Sequence, residues 1–304
     1  MDRRYADTVR LLLSVAPIVF EEPAFAMKGG TALNLFLHDL PRLSVDIDVV
    51  FVPWQAPRAD ALAAIAKGLD TIAAKLEQRG WGARPVAGNE GESKLLVEDP
   101  GHQVKIEVNT VFRGTVLPVE SRPLVPAAAA DFATEFSLPI LAPDELYGGK
   151  LVAALDRQHP RDLFDVHVMF ESGGLGDGAI ECFVTYLAGH NRPIHEVLSS
   201  KDKDIGAEFR NQFSGMTRET VALESLLEAR NRLRQELAAR LTERQRHFLL
   251  GLARANPDWN LLACPHAGEL PALRWKLENL RRFRTQRPAD FDKQADQLER
   301  LLFP

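Results

Sequence analysis

The sequence predicts an α+β fold: a mixed strand-and-helix N-terminal domain over residues 1–140, followed by a mostly helical domain over 141–304. Two observations predict it. Before residue 140 the apolar residues fall in short runs of strand length, namely "FAMKG", "VDIDVVFV", "KLLVED", "VKIEVNTVF" and "PLVP",. After Pro143 the apolar spacing becomes helical over 144–157, 161–171, 178–189, 218–253 and 272–285,. Strands first and helices afterwards indicate segregated layers rather than an alternating α/β chain.

The elements follow in order. The opening "MDRRYADTVRLLLSVAPIVFEEPAF" puts basic residues before apolar ones, as a signal peptide does, but Asp7 and Arg10 interrupt it and no small-residue cleavage site follows,. It reads as an amphipathic helix. A second helix, 58–79, lies among the strands, and the Pro-, Gly- and Asn-rich stretch 256–271 reads as a loop,. Beyond "PAAAA" at 126–130 there is no low-complexity tract, and no internal repeat. No apolar run is long enough to cross a bilayer. With Cys182 and Cys264 the only cysteines, and no metal spacing around them, a reduced, cytoplasmic protein is expected,. The eight histidines show no ligand spacing.

The net charge of −5 conceals an asymmetry. Residues 228–254 hold seven Arg against three Glu, and 272–287 hold six Lys or Arg against one Glu. An acidic body with a basic C-terminal third suits a polyanion, although two solvated helix faces explain the same pattern.

The stretch with most chemical content is "KGGTALNLFLHDLPRLSVDIDVVF", residues 28–51. In a strand, residues two apart face the same way, so Asp46 and Asp48 project together while Val45, Ile47 and Val49 face the core,. Two adjacent carboxylates are tolerated either on a solvent-facing edge or with a cation between them. All-oxygen ligands suit Mg²⁺, with Mn²⁺ as a substitute. Upstream, Gly29 and Gly30 let backbone N–H groups approach an anion, and Thr31 either adds a hydroxyl or caps the helix that follows,. Ser44 shares the Asp46 face, in position for a phosphate oxygen or as an ordinary strand-start serine. A phosphate cradle followed by a DxD pair is a device for a nucleoside triphosphate and its metal. In "HQVKIEVNTVF" Glu107 shares a face with Lys105 and Asn109, either as a third carboxylate or on a solvated sheet face.

Together "KGGTALNLF", "RLSVDIDVVF" and "ELYGGKLVAALDRQHPRDLFDV" resemble the AbiEii/AbiGii family of nucleotidyltransferase-like toxins, within the DNA polymerase β-type superfamily. The matching blocks are 27–51, 104–109 and 144–166. The resemblance implies a nucleotidyltransferase-like mixed sheet in the N-terminal domain. Gly29, Gly30 and Thr31 would form the phosphate loop with Ser44 beside it. Asp46, Asp48 and Glu107 would be the metal ligands, with Glu107 also a base for the acceptor. Lys150 would meet nucleotide phosphate, and Asp162 would be the acid of the last motif. Read from the residues alone, Lys150 equally snorkels to solvent, Asp162 equally stabilises a helix N-terminus, and Arg157, Arg161, Asp162 and Asp165 equally form a salt-bridge network that fixes the turn at His159-Pro160,.

The expected function is Mg²⁺-dependent transfer of NMP from an NTP to an RNA acceptor, the tRNA 3′ end foremost, by the toxin of a bacterial toxin–antitoxin or phage-defence system. NTP, RNA and a cognate antitoxin are the expected partners, with no membrane. The alternatives are transfer to a protein or small-molecule hydroxyl, and a non-catalytic nucleotide- or partner-binding module on the same fold.

Overall fold

The structure is a computed structural model that describes residues 2–87 and 91–304. It divides into two compact units: Met1–Leu146 with Phe213–Val221, and Tyr147–Gln212 with Ala222–Pro304.

The first unit is built on a mixed seven-stranded sheet of β1 (Phe25–Lys28), β2 (Asp46–Phe51), β3 (Gly82–Val86), β4 (Glu92–Asp99), β5 (His102–Asn109), β6 (Glu120–Pro123) and β7 (Ser137–Ile140). Its spatial order is β3-β4-β5-β2-β1-β7-β6. The β2–β5 and β1–β7 pairs are parallel and the others antiparallel. Helices α1 (Arg3–Val19) and α3 (Arg58–Glu77) pack on one face. There Val9, Leu12, Val15, Ile65 and Ile72 bury the alternate residues Ile47, Val49, Val104, Ile106 and Val108. A short helix, α2 (Gly29–Ala32), continues as a π-turn over Leu33–Leu37 and packs against β2.

Three details differ from the sequence reading. Strand β5 stops at Asn109 rather than 112, because the Asn109 side chain accepts the N–H groups of Val111 (2.9 Å) and Phe112 (2.8 Å) that would have continued the ladder. "PLVP" is not a strand: Pro123 ends β6 and Pro126 opens α4 (Pro126–Phe132). Strands β3 and β7 each carry a proline, Pro85 and Pro139, which hid them; β3 escapes the usual penalty because it lies at the sheet edge,.

Helix α5 (Pro143–Asp156) begins in the first unit and continues into the second. The second unit then contains α6 (Pro160–Glu171), α7 (Asp177–Ala188), α8 (Ile194–Leu198), α9 (Gly206–Glu208), α10 (Leu223–Arg240), α11 (Glu243–Ala253), α12 (Pro271–Gln286) and α13 (Pro288–Leu302). The run read as one helix over 218–253 is two. Thr242 and Gln245 form a capping box that starts α11 afresh,. Helix α13, absent from the sequence reading, has Pro288 in its first turn and buries Phe291, Ala295, Leu298 and Leu302,. The 256–271 loop contains two single 3₁₀ turns. Among the described residues no helix is long and apolar enough to cross a membrane.

Candidate active site

Strand pairing in the first unit places the predicted carboxylates side by side. Asp48 of β2 lies in register with Glu107 of β5, its parallel neighbour. Lys28 of β1 is in register with Asp48 on one side, and Lys94 of β4 with Glu107 on the other. One row across four strands therefore reads Lys94, Glu107, Asp48, Lys28. Asp46, two residues before Asp48, shares their face, and both aspartates are half-buried,. Lys94 Nζ pairs with Glu107 Oε1 at 2.9 Å and with Glu92 Oε2 at 3.0 Å. The bond to Glu107 raises the Lys94 pKa despite its burial, so Lys94 is charged. The two lysines are the functional-row residues that sequence reasoning missed. Their signal was present, with Lys28 directly before the glycine pair and Lys94 opening "KLLVED", but their place in the row depends on strand order.

The glycine pair is explained by what it packs against. Gly29 has φ +77°, and a Cβ there would stand 2.0 Å from Asp48 Oδ2. Only glycine allows both the backbone turn into α2 and the close seat of the carboxylate against it. A Cβ at Gly30 would lie 2.6 Å from an Arg42 guanidinium nitrogen and 3.2 Å from Ser44 Oγ. Thr31 is fully buried; its hydroxyl donates to the Asp46 carbonyl at 2.5 Å and lies 3.0 Å from Ser44 Oγ. Thr31 and Ser44 thus tie the glycine segment to the start of β2, holding the Asp46 backbone.

Asp46 and Asp48 offer hard oxygen ligands from one face, as Mg²⁺ requires, and Gly29 leaves the Asp48 carboxylate its place,. Among the described residues no three His, Cys, Asp or Glu side chains converge into a ready-made ligand cluster. Glu107 instead contacts Lys94. The arrangement fits an ion held by two aspartates that completes its shell with water and substrate oxygens.

Lys150 and Asp162 meet in the second unit. Lys150 does not snorkel: its side chain is 6% exposed, and Nζ lies 2.9 Å from both Asp162 Oδ1 and Asp165 Oδ2. On the same helix Gly148 lets α5 pass close to α7, where a Cβ would stand 2.7 Å from the Cys182 backbone carbon. Arg157 grips Asp162 bidentately, at 2.5 and 2.9 Å. Burial by itself would raise the Asp162 pKa; the Lys150 and Arg157 charges overrule it and hold the carboxyl far below the usual range. The two lysine-bound aspartates carry both acidic positions of "RDLFDV", and with Arg157 they form an ion-pair network at the turn, as the sequence allowed for Arg157, Asp162 and Asp165.

The basic segments divide. All seven arginines of 228–254 are used inside the second unit. Arg230 and Arg234 pair with Asp202, Arg232 with Glu236, Arg240 with Asp177, Arg244 with Glu181 and Arg254 with Glu299, while Arg246 donates to backbone carbonyls. Buried Lys276 likewise donates to the carbonyls of His190 (2.8 Å) and Arg192 (2.7 Å), and burial pulls its pKa down to about 8. On α12 Arg282 pairs with Glu278, and Arg287, between α12 and α13, pairs with Asp290. Arg274, Arg281 and Arg284 are exposed and form no ion pair among the described residues. Trp275, about 100° round the helix from Arg274, is 51% exposed,.

A comparison with curated protein sequences gives no match. Among solved structures the fold is similar to MenT4, a nucleotidyltransferase toxin from Mycobacterium tuberculosis, with a TM-score of 0.60 and 18% identity over 91% of this chain and 93% of that one. Residues 10–279 match the family model described as "Nucleotidyl transferase AbiEii toxin, Type IV TA system". The glycine pair, the aspartate pair and the Lys150–Asp162 block all lie within that match, and the chain belongs to the AbiEii family of nucleotidyltransferase toxins of type IV toxin–antitoxin systems.

Proposed function

We propose that this toxin transfers NMP from an NTP to an RNA acceptor, the tRNA 3′ end foremost, and releases pyrophosphate. The observation that supports this most is the register of Asp48 with Glu107 beside the Gly29–Gly30 segment. Asp46 and Asp48 would hold Mg²⁺, or Mn²⁺ in its place, which would supply charge neutralisation on the triphosphate. The α2 backbone at Gly29 and Gly30 receives phosphate, with Thr31 and Ser44 fixing that segment. Glu107 takes the proton of the acceptor hydroxyl, and Lys94 holds its carboxylate in place. Lys150, fixed by Asp162 and Asp165, contributes a positive charge to nucleotide binding. A cognate antitoxin is the expected partner, the cytoplasm the expected location, and phage defence a role compatible with the family. The decisive experiment incubates the protein with total bacterial RNA and each α-labelled NTP; labelling of tRNA supports the reading, and labelling of protein alone moves the acceptor elsewhere.

Two measurements check its parts. Lys150→Ala, provided that it remains folded, is expected to weaken binding of a non-hydrolysable NTP with Mg²⁺ about ten- to a hundredfold by calorimetry. Unchanged affinity would leave Lys150 a purely structural residue. For the acceptor, the exposed α12 arginines supply the phosphate contacts, since those of 228–254 are already engaged. Arg274, Arg281 and Arg284 fall within about 80° of helix surface. Reversing these three charges should weaken RNA binding and reduce its salt dependence by about 0.7 to 0.9 in log–log slope per lost contact. Arg282→Glu, at an arginine already paired with Glu278, should do little. If the triple reversal leaves RNA affinity and its salt slope untouched, α12 is not the RNA face.

A further inference from the structure

The sheet face that carries the carboxylates continues past them, and one of its cations has no role in the site described above. The register that sets Asp48 level with Glu107 also sets Asp46 level with Lys105, two residues before Glu107 on β5. That row runs on through Leu96 of β4 to Arg84 of β3. Alternation puts Lys105 on the side of Asp46 and Glu107, while Val104 and Ile106 are buried on the other,. Paired strands lie about 4.8 Å apart and two residues span about 6.6 Å of strand, so Lys105 stands beside both acids.

The cations of this face differ in what holds them. Lys94 is engaged by Glu107 and Glu92. Arg84 lies 3.3 Å from Glu98, which also accepts from Gln103 at 2.7 Å. Lys105 is exposed and in no ion pair among the described residues.

The transfer geometry gives this lysine a place. The acceptor oxygen bonds to the α-phosphorus, the bond to the pyrophosphate oxygen breaks, and the hydroxyl proton passes to Glu107. Entering and leaving oxygens stand roughly in line across the phosphorus. Strand β2 lies between β1 and β5. With the leaving phosphates on the β1 side, at Gly29 and Gly30, the acceptor arrives from the β5 side, over Glu107. A nucleic-acid acceptor carries a phosphate one nucleotide behind its attacking hydroxyl, and Asp46, Asp48 and Glu107 all repel that phosphate. An ammonium beside them that no carboxylate engages offsets the repulsion and takes the phosphate as a point charge.

Resting on the transfer reading above, we propose that Lys105 binds the acceptor RNA, at the phosphate nearest its attacking 3′ hydroxyl, and takes no part in holding the NTP.

The test measures RNA and nucleotide separately on the full chain. A single-stranded RNA oligonucleotide with a free 3′ hydroxyl is titrated by fluorescence anisotropy over a salt series, without NTP. A non-hydrolysable NTP analogue with Mg²⁺ is titrated by calorimetry, and transfer is followed at saturating NTP with bulk bacterial tRNA varied. Lys105→Gln is expected to weaken oligonucleotide binding about tenfold, raise KM for tRNA, and lower the log–log salt slope by about 0.7. Its analogue affinity and KM for NTP should equal those of the wild type. Lys105→Arg, which keeps the charge, should restore RNA binding. Tm should be unchanged in both variants, because the side chain is exposed,. Arg84→Gln, at an arginine already beside Glu98, should do little. If the wild type labels tRNA but Lys105→Gln leaves RNA affinity, KM and salt slope untouched, the Lys105 assignment falls and the transfer reading stands. An equal loss of analogue affinity also overturns the assignment, because the lysine then serves the triphosphate. A wild type that labels no RNA removes the transfer reading, and the assignment with it.

Discussion

Asp48→Asn is expected to reduce nucleotidyl transfer by at least about a hundred- to a thousandfold while leaving the protein folded. Asparagine keeps the shape that fits the Gly29 notch but removes the charge that a divalent ion and its triphosphate require. Stability should change by no more than about 0.5 kcal/mol, because Asp48 is half-buried and loses repulsion from Asp46 and Glu107 as well as attraction to Lys28,. Asp46→Asn should behave alike. Gly29→Ala provides a geometric counterpart: its Cβ would stand 2.0 Å from Asp48 Oδ2 in a backbone conformation with φ +77°. It should lose transfer too, at a cost of about 1–3 kcal/mol. Circular dichroism and denaturant unfolding, run beside a pyrophosphate-release assay, separate the two variants. Transfer near the wild-type rate in Asp48→Asn would remove the aspartate pair from the chemistry.

The largest effect on stability is expected at Asp162. Asp162→Ala takes one of two carboxylates from buried Lys150 and removes the Asp162 carboxylate from Arg157, so about 3–5 kcal/mol should be lost,. Arg157→Gln, at a side chain 64% exposed, should cost about 1 kcal/mol or less,. The same network makes stability acid-sensitive. The folded-state pKa of Asp162 lies below its unfolded value near 4, so its contribution is complete above that value,. It is lost progressively as pH falls through 4 towards the depressed folded pKa, since the unfolded chain then binds the extra proton. Denaturant midpoints of wild type and Asp162→Ala should therefore converge in acid. Parallel curves from neutral pH down to about pH 2 would show that Lys150 does not depend on the Asp162 charge.

How much of this was legible depends on the range of the interactions. Alternation in "VDIDVVF" and "VKIEV" determined which side chains share a face, because the extended backbone sets that period residue by residue,. The amphipathic opening helix and the helical character after Pro143 were legible for the same reason, as was the family through its three short blocks. Element ends were less so: the Thr242 capping box that splits a helix and the Asn109 side-chain bonds that end β5 act over only two or three residues, and a longer apolar period masks them. Register was not legible at all. That Glu107 stands level with Asp48, and that Lys94 and Lys28 flank them, follows from β5 pairing parallel to β2, and any order that buries the same valines satisfies the local pattern equally,. The arginines of 228–254 show the limit most plainly. Their sequence determined a positive stretch, but Asp177, Glu181, Asp202 and Glu299, remote along the chain, pair with Arg240, Arg244, Arg230 and Arg254 and so neutralise much of it. Charge is a property of a residue, whereas its partner is chosen by packing that brings distant segments together, and only the tertiary structure makes that choice.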